Sequence, residues 1–386
     1  MPSLDVVLGP CSGIQSALSK TKEIRAEKAR FAAICDTFGL ISCVFDRSRR
    51  SRRGTRGWGY RHNRGMTTTT KPLRIVVAIN PSASFGKGAP VGPAVVQTLR
   101  AAGHDVTALT EPSYAELVEQ AQKAIATKPD AVVVVGGDGM FSLGTNLLVG
   151  TKIPLGLVPS GTGNDMARGL GIPIGNTEAA IELLLGSLQA PPRTIDVGRV
   201  RNADGRKSYF ACVLSAGFDA VVNERANLMR WPNGKSRYDL ALLRELAMLK
   251  PIRYRLTLDG VAVTTDAVLI SAANNVSFGG GMKVAPDAIL DDGEFDVLVV
   301  QPLSRLAFLR IFPRVFKGTH VTDPRVKIYR AKSIRIDADA VVAFADGERV
   351  GALPVDIEVV PKALRVFAPT PAPRVLAAPP AVWHTL

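Results

Sequence analysis

From Leu73 onward the apolar positions fall into short continuous runs separated by stretches of helical spacing. Leu73–Ile79, Asp105–Leu109, Ala131–Val135 and Ile153–Val158 read as strands. The last two are near-continuous apolar runs, as in parallel strands covered on both faces. Val91–Ala102, Ser113–Thr127, Phe141–Val149 and Thr177–Leu185 carry helical spacing, with Ser113 and Glu116 placed as a capping box. Strand and helix in alternation predict a doubly wound α/β domain over residues 71–195.

Past Asp196 the texture changes. Tyr209–Leu214, Arg253–Leu258, Ala267–Ala272, Phe295–Val300, Ser333–Ile336, Val341–Ala345 and Asp356–Val359 are short strands divided by turn residues. Helical stretches are few: Ala220–Met229, Asp239–Lys250 and Leu303–Arg314. The expected second domain, residues 196–368, is β-rich and mostly antiparallel. The fold class is therefore α/β plus β. The ends differ from both: residues 1–70 are basic and without apolar period, residues 369–386 are rich in Pro and Ala, and both are expected to be disordered. Met66 precedes the first strand in the manner of a translation start, which would make residues 1–65 an upstream extension.

Composition narrows the partners. The net charge is +14, but residues 1–65 alone hold thirteen Lys/Arg against five Asp/Glu, so the body is only mildly basic. That favours anionic partners such as nucleotides or acidic headgroups. An Arg-rich arm suits nucleic acid too, but with a start at Met66 no nucleic-acid partner is expected. The four cysteines form no CxxC, and the four histidines have no metal-ligand spacing, so neither a disulfide framework nor a zinc site is indicated. No apolar run reaches the roughly 18 residues of a membrane span.

Three turns carry candidate chemistry. Asn80-Pro81-Ser82-Ala83-Ser84-Phe85-Gly86-Lys87-Gly88 follows the first strand; it lacks the GxxxxGK[ST] spacing and serves equally as a plain strand-to-helix loop. Gly136-Gly137-Asp138-Gly139 offers unblocked N–H groups to phosphate at a helix start. Asp138 beside a phosphate makes sense with Mg²⁺ between the two anions; otherwise it is an ordinary N-cap. Pro159–Arg168 is the third turn. Thr162 and the amides around Gly161 and Gly163 suit phosphate oxygens, while Asn164 and Asp165 either cap the next helix or face a metal.

The order and spacing of GGDG, PSGTGND and the later motifs resemble the lipid-kinase family of bacterial diacylglycerol kinases, the lipid kinase YegS and sphingosine kinases. Those later motifs are Asp196-Val197-Gly198, Ser215–Ala220, Asn274-Asn275, Phe278–Met282, Ala285-Pro286, Asp291–Asp296 and Asp346-Gly347-Glu348. The likeness runs from about Leu73 to Ala368, and Asn223–Asn227 with Arg230-Trp231-Pro232 is most similar to the actinobacterial diacylglycerol kinases. It implies ATP in the cleft between the two domains. By position, Asn80, Pro81, Ser82, Ala83, Ser84, Thr110, Gly136, Gly137, Gly139, Met140, Gly161, Thr162, Asn164 and Asp165 would bind the nucleotide. Asp138 would act near a catalytic Mg²⁺. Asp292, with backbone near Ile289 and Glu294, would hold a second metal. Glu348 and Asp346 would form the catalytic acidic pair. Met140 stands where the family usually has Thr, Cys212 where many members have Asn, and the Asn80–Gly86 gap is longer than in the simplest members.

Residues alone leave alternatives: Asp346-Gly347 is also a good hairpin turn, Asp291-Asp292-Gly293 is also a plain turn, and the three glycines of Phe278–Met282 suit a mobile loop as well as an acyl entry. The activity implied is ATP-dependent phosphorylation of the primary hydroxyl of diacylglycerol to phosphatidic acid. The alternatives are a sphingosine-type or phosphatidylglycerol kinase, or a non-catalytic nucleotide- or lipid-binding protein of the same fold. A membrane lipid substrate implies a cytoplasmic protein docking on the anionic inner face of the cell membrane. Arg225, Arg230, Trp231, Lys235 and Arg237 are the candidate contact, or else a solvated loop. A homodimer is left open.

Overall fold

The computed structural model describes residues 71–80, 91–229 and 250–371, with residues 240, 241, 244, 245 and 248 between them. The basic extension, the loop 81–90, most of the helix expected over 239–250, Arg230 to Arg237 and most of the Pro/Ala tail lie outside the described residues.

The continuous apolar runs become four parallel strands: β1 (Arg74–Ile79), β2 (Asp105–Leu109), β3 (Ala131–Gly136) and β4 (Leu155–Pro159), in the order β2-β1-β3-β4. Every residue of β3 and β4 is buried, which requires cover on both faces and explains the lack of alternation. That cover comes from α1 (Val91–Ala101), α2 (Tyr114–Ala126), α3 (Asp138–Leu148) and α5 (Thr177–Ser187), while the short α4 (Asp165–Leu170) follows β4. Ser113 caps α2 as its spacing predicts, accepting the Glu116 amide at 3.2 Å. β3 ends directly in a turn and α3, so its C-terminal edge faces open space beside β1 and β4.

The second lobe is antiparallel. One sheet runs β12 (Val326–Ala331), β11 (Phe295–Val300), β10 (Leu269–Ala273), β7 (Val213–Gly217), β14 (Val342–Ala345) and β15 (Glu348–Ala352). The other joins β8 (Ile252–Leu258), β9 (Val261–Ala267), β13 (Ser333–Asp337), β5 (Arg193–Arg201) and β6 (Lys207–Phe210) to β16 (Val355–Val366). The two pack face to face around Phe210, Tyr254, Phe295, Tyr329 and Ile336, all buried. Phe210 and Phe295 stack with centroids 5.6 Å apart; truncating either to Ala would cost about 3–5 kcal/mol. Two helices, α6 (Phe218–Leu228) and α7 (Arg305–Val315), lie outside the sandwich.

β16 carries the connection between lobes. Its first half pairs antiparallel with β13, and its last residue, Val366, pairs parallel with Leu155 of β4. The pairing with β5 shifts register between Val360 and Leu364, around Pro361, which has no amide to donate. Lys362 there has φ +51, and its amide goes to the Asp196 carboxylate at 2.7 Å. A bulge with its own hydrogen-bond acceptor lets one strand serve both sheets. No helix among the described residues is long and apolar enough to cross a membrane.

Candidate active site

The two glycine turns stand side by side because β3 and β4 are neighbours, with Gly136 paired to Pro159. The Ser160 amide donates to the Gly136 carbonyl at 2.9 Å. Gly137 and Gly161 then meet backbone to backbone: a Cβ on Gly161 would lie 2.9 Å from the Gly137 nitrogen and closer still to its Cα. Only glycine at both places permits this approach. Gly137 is the N-cap of α3, with no side-chain cap, so the helix opens its free amides and the positive end of its dipole at this point.

A cleft of about 350 Å³ lies over these turns, lined by Asn80, Tyr114, Gly137, Gly139, Met140, Ser160, Gly161, Thr162 and Glu348. Eight of these come from the parallel lobe; Glu348 comes from β15 of the other lobe. The structure thus brings Asn80, Gly137, Gly139, Met140, Gly161, Thr162 and Glu348 together. Gly136 sits just beneath, at the end of β3. Met140 is almost wholly buried against Gly136, so its side chain is packing and only its edge reaches the cleft. Thr110 follows β2 on the same edge of the sheet but does not line the cleft. Pro81, Ser82, Ala83 and Ser84 lie outside the described residues.

Asp138 is the first residue of α3 rather than its cap. Its Oδ1 accepts the Met166 amide at 3.0 Å, across the gap to α4. Gly163 gives room for the other oxygen: a Cβ there would stand 2.7 Å from Asp138 Oδ2. Burial raises the Asp138 pKa, and the neighbouring Asp165 charge adds to this against the Met166 hydrogen bond. A partly desolvated carboxylate with a like charge beside it, at the mouth of a phosphate-type turn, is chemically suited to a divalent cation.

Two other expectations need correction. Asn164 and Asp165 are not turned toward a nucleotide or metal. Asn164 has φ +55 and clasps its own turn, accepting from the Gly161 amide at 3.0 Å and donating to the Gly161 carbonyl at 2.7 Å. Asp165 is buried and accepts the amides of Gly280 and Gly281 at 2.6 and 2.8 Å, plus the Arg168 guanidinium at 2.5 Å. Asp292, expected with backbone near Ile289 and Glu294 to hold a second metal, pairs with the guanidinium of Arg330, which also meets the Glu294 carboxylate. Among the described residues no three His, Cys, Asp or Glu side chains converge as a metal-ligand group.

The acidic pair divides. Asp346, in a left-handed turn at φ +49, accepts the amides of Ala211, Cys212 and Val213 at 2.8, 3.0 and 3.0 Å. Burial pushes its pKa up to about 6, those three amides acting in the opposite direction. It does not line the cleft; it holds the turn from which Glu348 projects. Glu348 is exposed to the cleft and faces Tyr114, whose phenol is raised by burial first and by the Glu348 charge second.

Tyr114 and Ser160 were not singled out from sequence. Ser160 stands inside the PSGTGND turn, and its buried hydroxyl has no hydrogen-bond partner among the described residues. Tyr114 follows the Ser113 cap, a position that puts the first helical side chain at the sheet's edge; the cap was legible, its consequence was not.

Comparison with known proteins accords with this geometry. Residues 74–200 match the Diacylglycerol kinase catalytic domain, and residues 212–368 match the YegS C-terminal NAD kinase beta sandwich-like domain. The chain is 38% identical over 297 residues to a diacylglycerol kinase of Mycobacterium tuberculosis, spanning 77% of this chain and 95% of that protein. It is 26% identical over 264 residues to a diacylglycerol kinase of Bacillus subtilis, spanning 67% and 84%. A crystal structure of a diacylglycerol kinase from Bacillus anthracis shares the fold, with TM-score 0.59 and 22% identity over 78% of this chain and 98% of that one. With both lobes matched in order and the cleft between their motifs intact, the chain belongs to the diacylglycerol kinase family and is a kinase of the lipid-kinase fold.

Proposed function

We propose that this kinase transfers the γ-phosphate of ATP to the primary hydroxyl of diacylglycerol, giving phosphatidic acid and ADP. The supporting observation is the cleft itself: a carboxylate from the antiparallel lobe, Glu348, opens onto the same space as two glycine turns from the parallel lobe.

In this reading the amides of the Gly137 and Gly161 turns, the α3 N-terminus and the Thr162 and Ser160 hydroxyls hold the phosphates. Asp138 would hold Mg²⁺, which when bound neutralises phosphate charge and orients it. Glu348 accepts the proton of the lipid hydroxyl as its oxygen bonds to the γ-phosphorus and the bond to the bridging oxygen of ADP breaks. Asp346 and Asp165 act as positioning residues, the first for Glu348 and the second for the wall of the cleft near Asp138. A bilayer substrate places the enzyme on the inner face of the cell membrane.

Labelled ATP with a panel of diacylglycerol, a sphingoid base and phosphatidylglycerol, scored by product chromatography, tests this. Labelled phosphatidic acid is expected, and Asp138→Ala is expected to abolish it. Preference for another acceptor would reassign the substrate. Absence of any ATP turnover would favour a binding protein of the same fold.

A further inference from the structure

α7 is poorly buried for a helix on the flank of a sandwich: only Ile311 is fully buried in it. Ser304 caps it, accepting the Ala307 amide at 3.2 Å. Between Arg305 and Lys317 there are four cations and no carboxylate. Only Arg314 of the four has an ion-pair partner among the described residues, Asp323, and it turns back to the Thr319 carbonyl at 2.6 Å. Arg305, Arg310 and Lys317 are exposed. With Ile311 inward, helical spacing puts Leu306 and Arg310 on the outward stripe, and Lys317 follows just past the end of the helix.

That stripe also carries apolar surface. Leu306 is 66% exposed, and Leu228 at the end of α6 is 80% exposed. The two helices are joined, with the Phe218 and Phe308 rings 4.9 Å apart within a small cluster that includes Val222 and Ala241. Exposed leucines set among unopposed cations are a poor surface for water and a good one for anionic headgroups over acyl chains. The end of α7 also meets the chain that follows the glycine loop. The Lys283 amide donates to the Val315 carbonyl at 3.1 Å, and two residues earlier Gly281 donates to Asp165, beside Asp138.

We propose that α7, with the exposed end of α6, is the surface by which this chain docks on an anionic bilayer. The docked helix sets the glycine loop of Phe278–Met282 against the lipid surface, next to the cleft. This deepens the lipid-kinase reading and rests on it. The surface meets the 225–237 segment expected from sequence only at Leu228; Arg230 to Arg237 of that segment lie outside the described residues.

The test uses the full chain and sedimentation with vesicles of equimolar phosphatidylglycerol and phosphatidylcholine, or of phosphatidylcholine alone. The wild type is expected to sediment with the anionic vesicles only. At roughly fivefold affinity per basic residue near an anionic surface, Arg305→Glu with Arg310→Glu is expected to weaken binding by at least tenfold, and Leu306→Ser with Leu228→Ser by a smaller factor. Circular dichroism establishes that each variant is folded, and phosphorylation of a dispersed short-chain diacylglycerol is expected to be unchanged. Vesicle binding by folded charge-reversed protein equal to the wild type overturns the proposal. So does loss of self-association without loss of vesicle binding, which would assign the face to a second copy. If the wild type binds through α7 but phosphorylates no lipid, the surface stands and the substrate reading fails.

Discussion

The Asp165 carboxylate accepts the Gly280 amide at 2.6 Å, tying the PSGTGND turn of the parallel lobe to the glycine loop of the antiparallel lobe. Two residues 115 apart in sequence thereby fix one wall of the cleft. Asp165 is buried and also holds Arg168, so its loss leaves a guanidinium and two amides without their acceptor.

Asp165→Asn is therefore expected to destabilise the fold by about 3 kcal/mol, since the new amide faces donors. Urea denaturation followed by fluorescence would read this as a lower midpoint with unchanged slope. An unchanged midpoint would mean that the lobes are held by the shared strand β16 alone.

The contact of Gly161 with Gly137 gives a sharper prediction for activity. Both partners of a new Cβ there are backbone atoms, which cannot rotate away. Gly161→Ala is expected to push the two phosphate turns apart and lower kcat/KM for ATP by roughly a hundredfold, the cost of about 1 Å of misplacement. Gly186 in α5, away from the cleft, where a Cβ also meets nothing within 4 Å, is the control. Gly186→Ala should retain most activity. Equal losses in both would point to backbone flexibility rather than contact.

Glu348 and Asp346 separate by experiment as they do in space. Glu348→Gln is expected to leave ATP affinity intact and to lower kcat by roughly 10²–10⁴-fold, the range of a lost general base. Asp346→Ala strips the acceptor from three amides, and is expected to lower the melting temperature as well as activity. Calorimetry beside single-turnover kinetics distinguishes them; Glu348→Gln with wild-type kcat would remove Glu348 from the chemistry.

The parallel lobe was nearly all legible, because its signals are local. Apolar runs gave β1 to β4, with Asp105–Leu109 matching β2 residue for residue, and in the other lobe Phe295–Val300 matches β11. Failures fall where a distant partner decides. Tyr209–Leu214 reads as one strand but breaks at Ala211 and Cys212, because those amides go to Asp346, over 130 residues away, rather than to a ladder. Asp356–Val359 reads as a short strand, yet β16 runs on past Pro361 because Asp196 takes up the amide of the bulge. α3 begins at Asp138, three residues before its apolar period, since the turn and not the side-chain pattern starts it. The contacts of Asp165 and Asp292 were hidden for the same reason: their partners, Gly280 and Arg330, come from other parts of the chain.

Asp296 makes the stability depend on pH. It lies in β11 opposite Arg330 and is buried, and burial pushes its pKa from 3.8 to about 7; Arg330 opposes the shift, while Asp292, Asp287 and Glu294 add to it. Below about pH 4 the folded and unfolded chains both hold this proton, and the group has no effect on stability relative to Asn. From about pH 4 to 7 the folded chain keeps the proton and the unfolded chain releases it, so stability falls as pH rises, at about 1.4 kcal/mol per unit. Above pH 7 the loss is complete, with a ceiling of about 4 kcal/mol. Asp296→Asn removes the titrating group and keeps its shape. The variant is expected to match the wild type near pH 4 and to exceed it by a few kcal/mol near pH 8 in urea melts. A variant less stable than the wild type at about pH 8 would show that the Arg330 pairing outweighs burial.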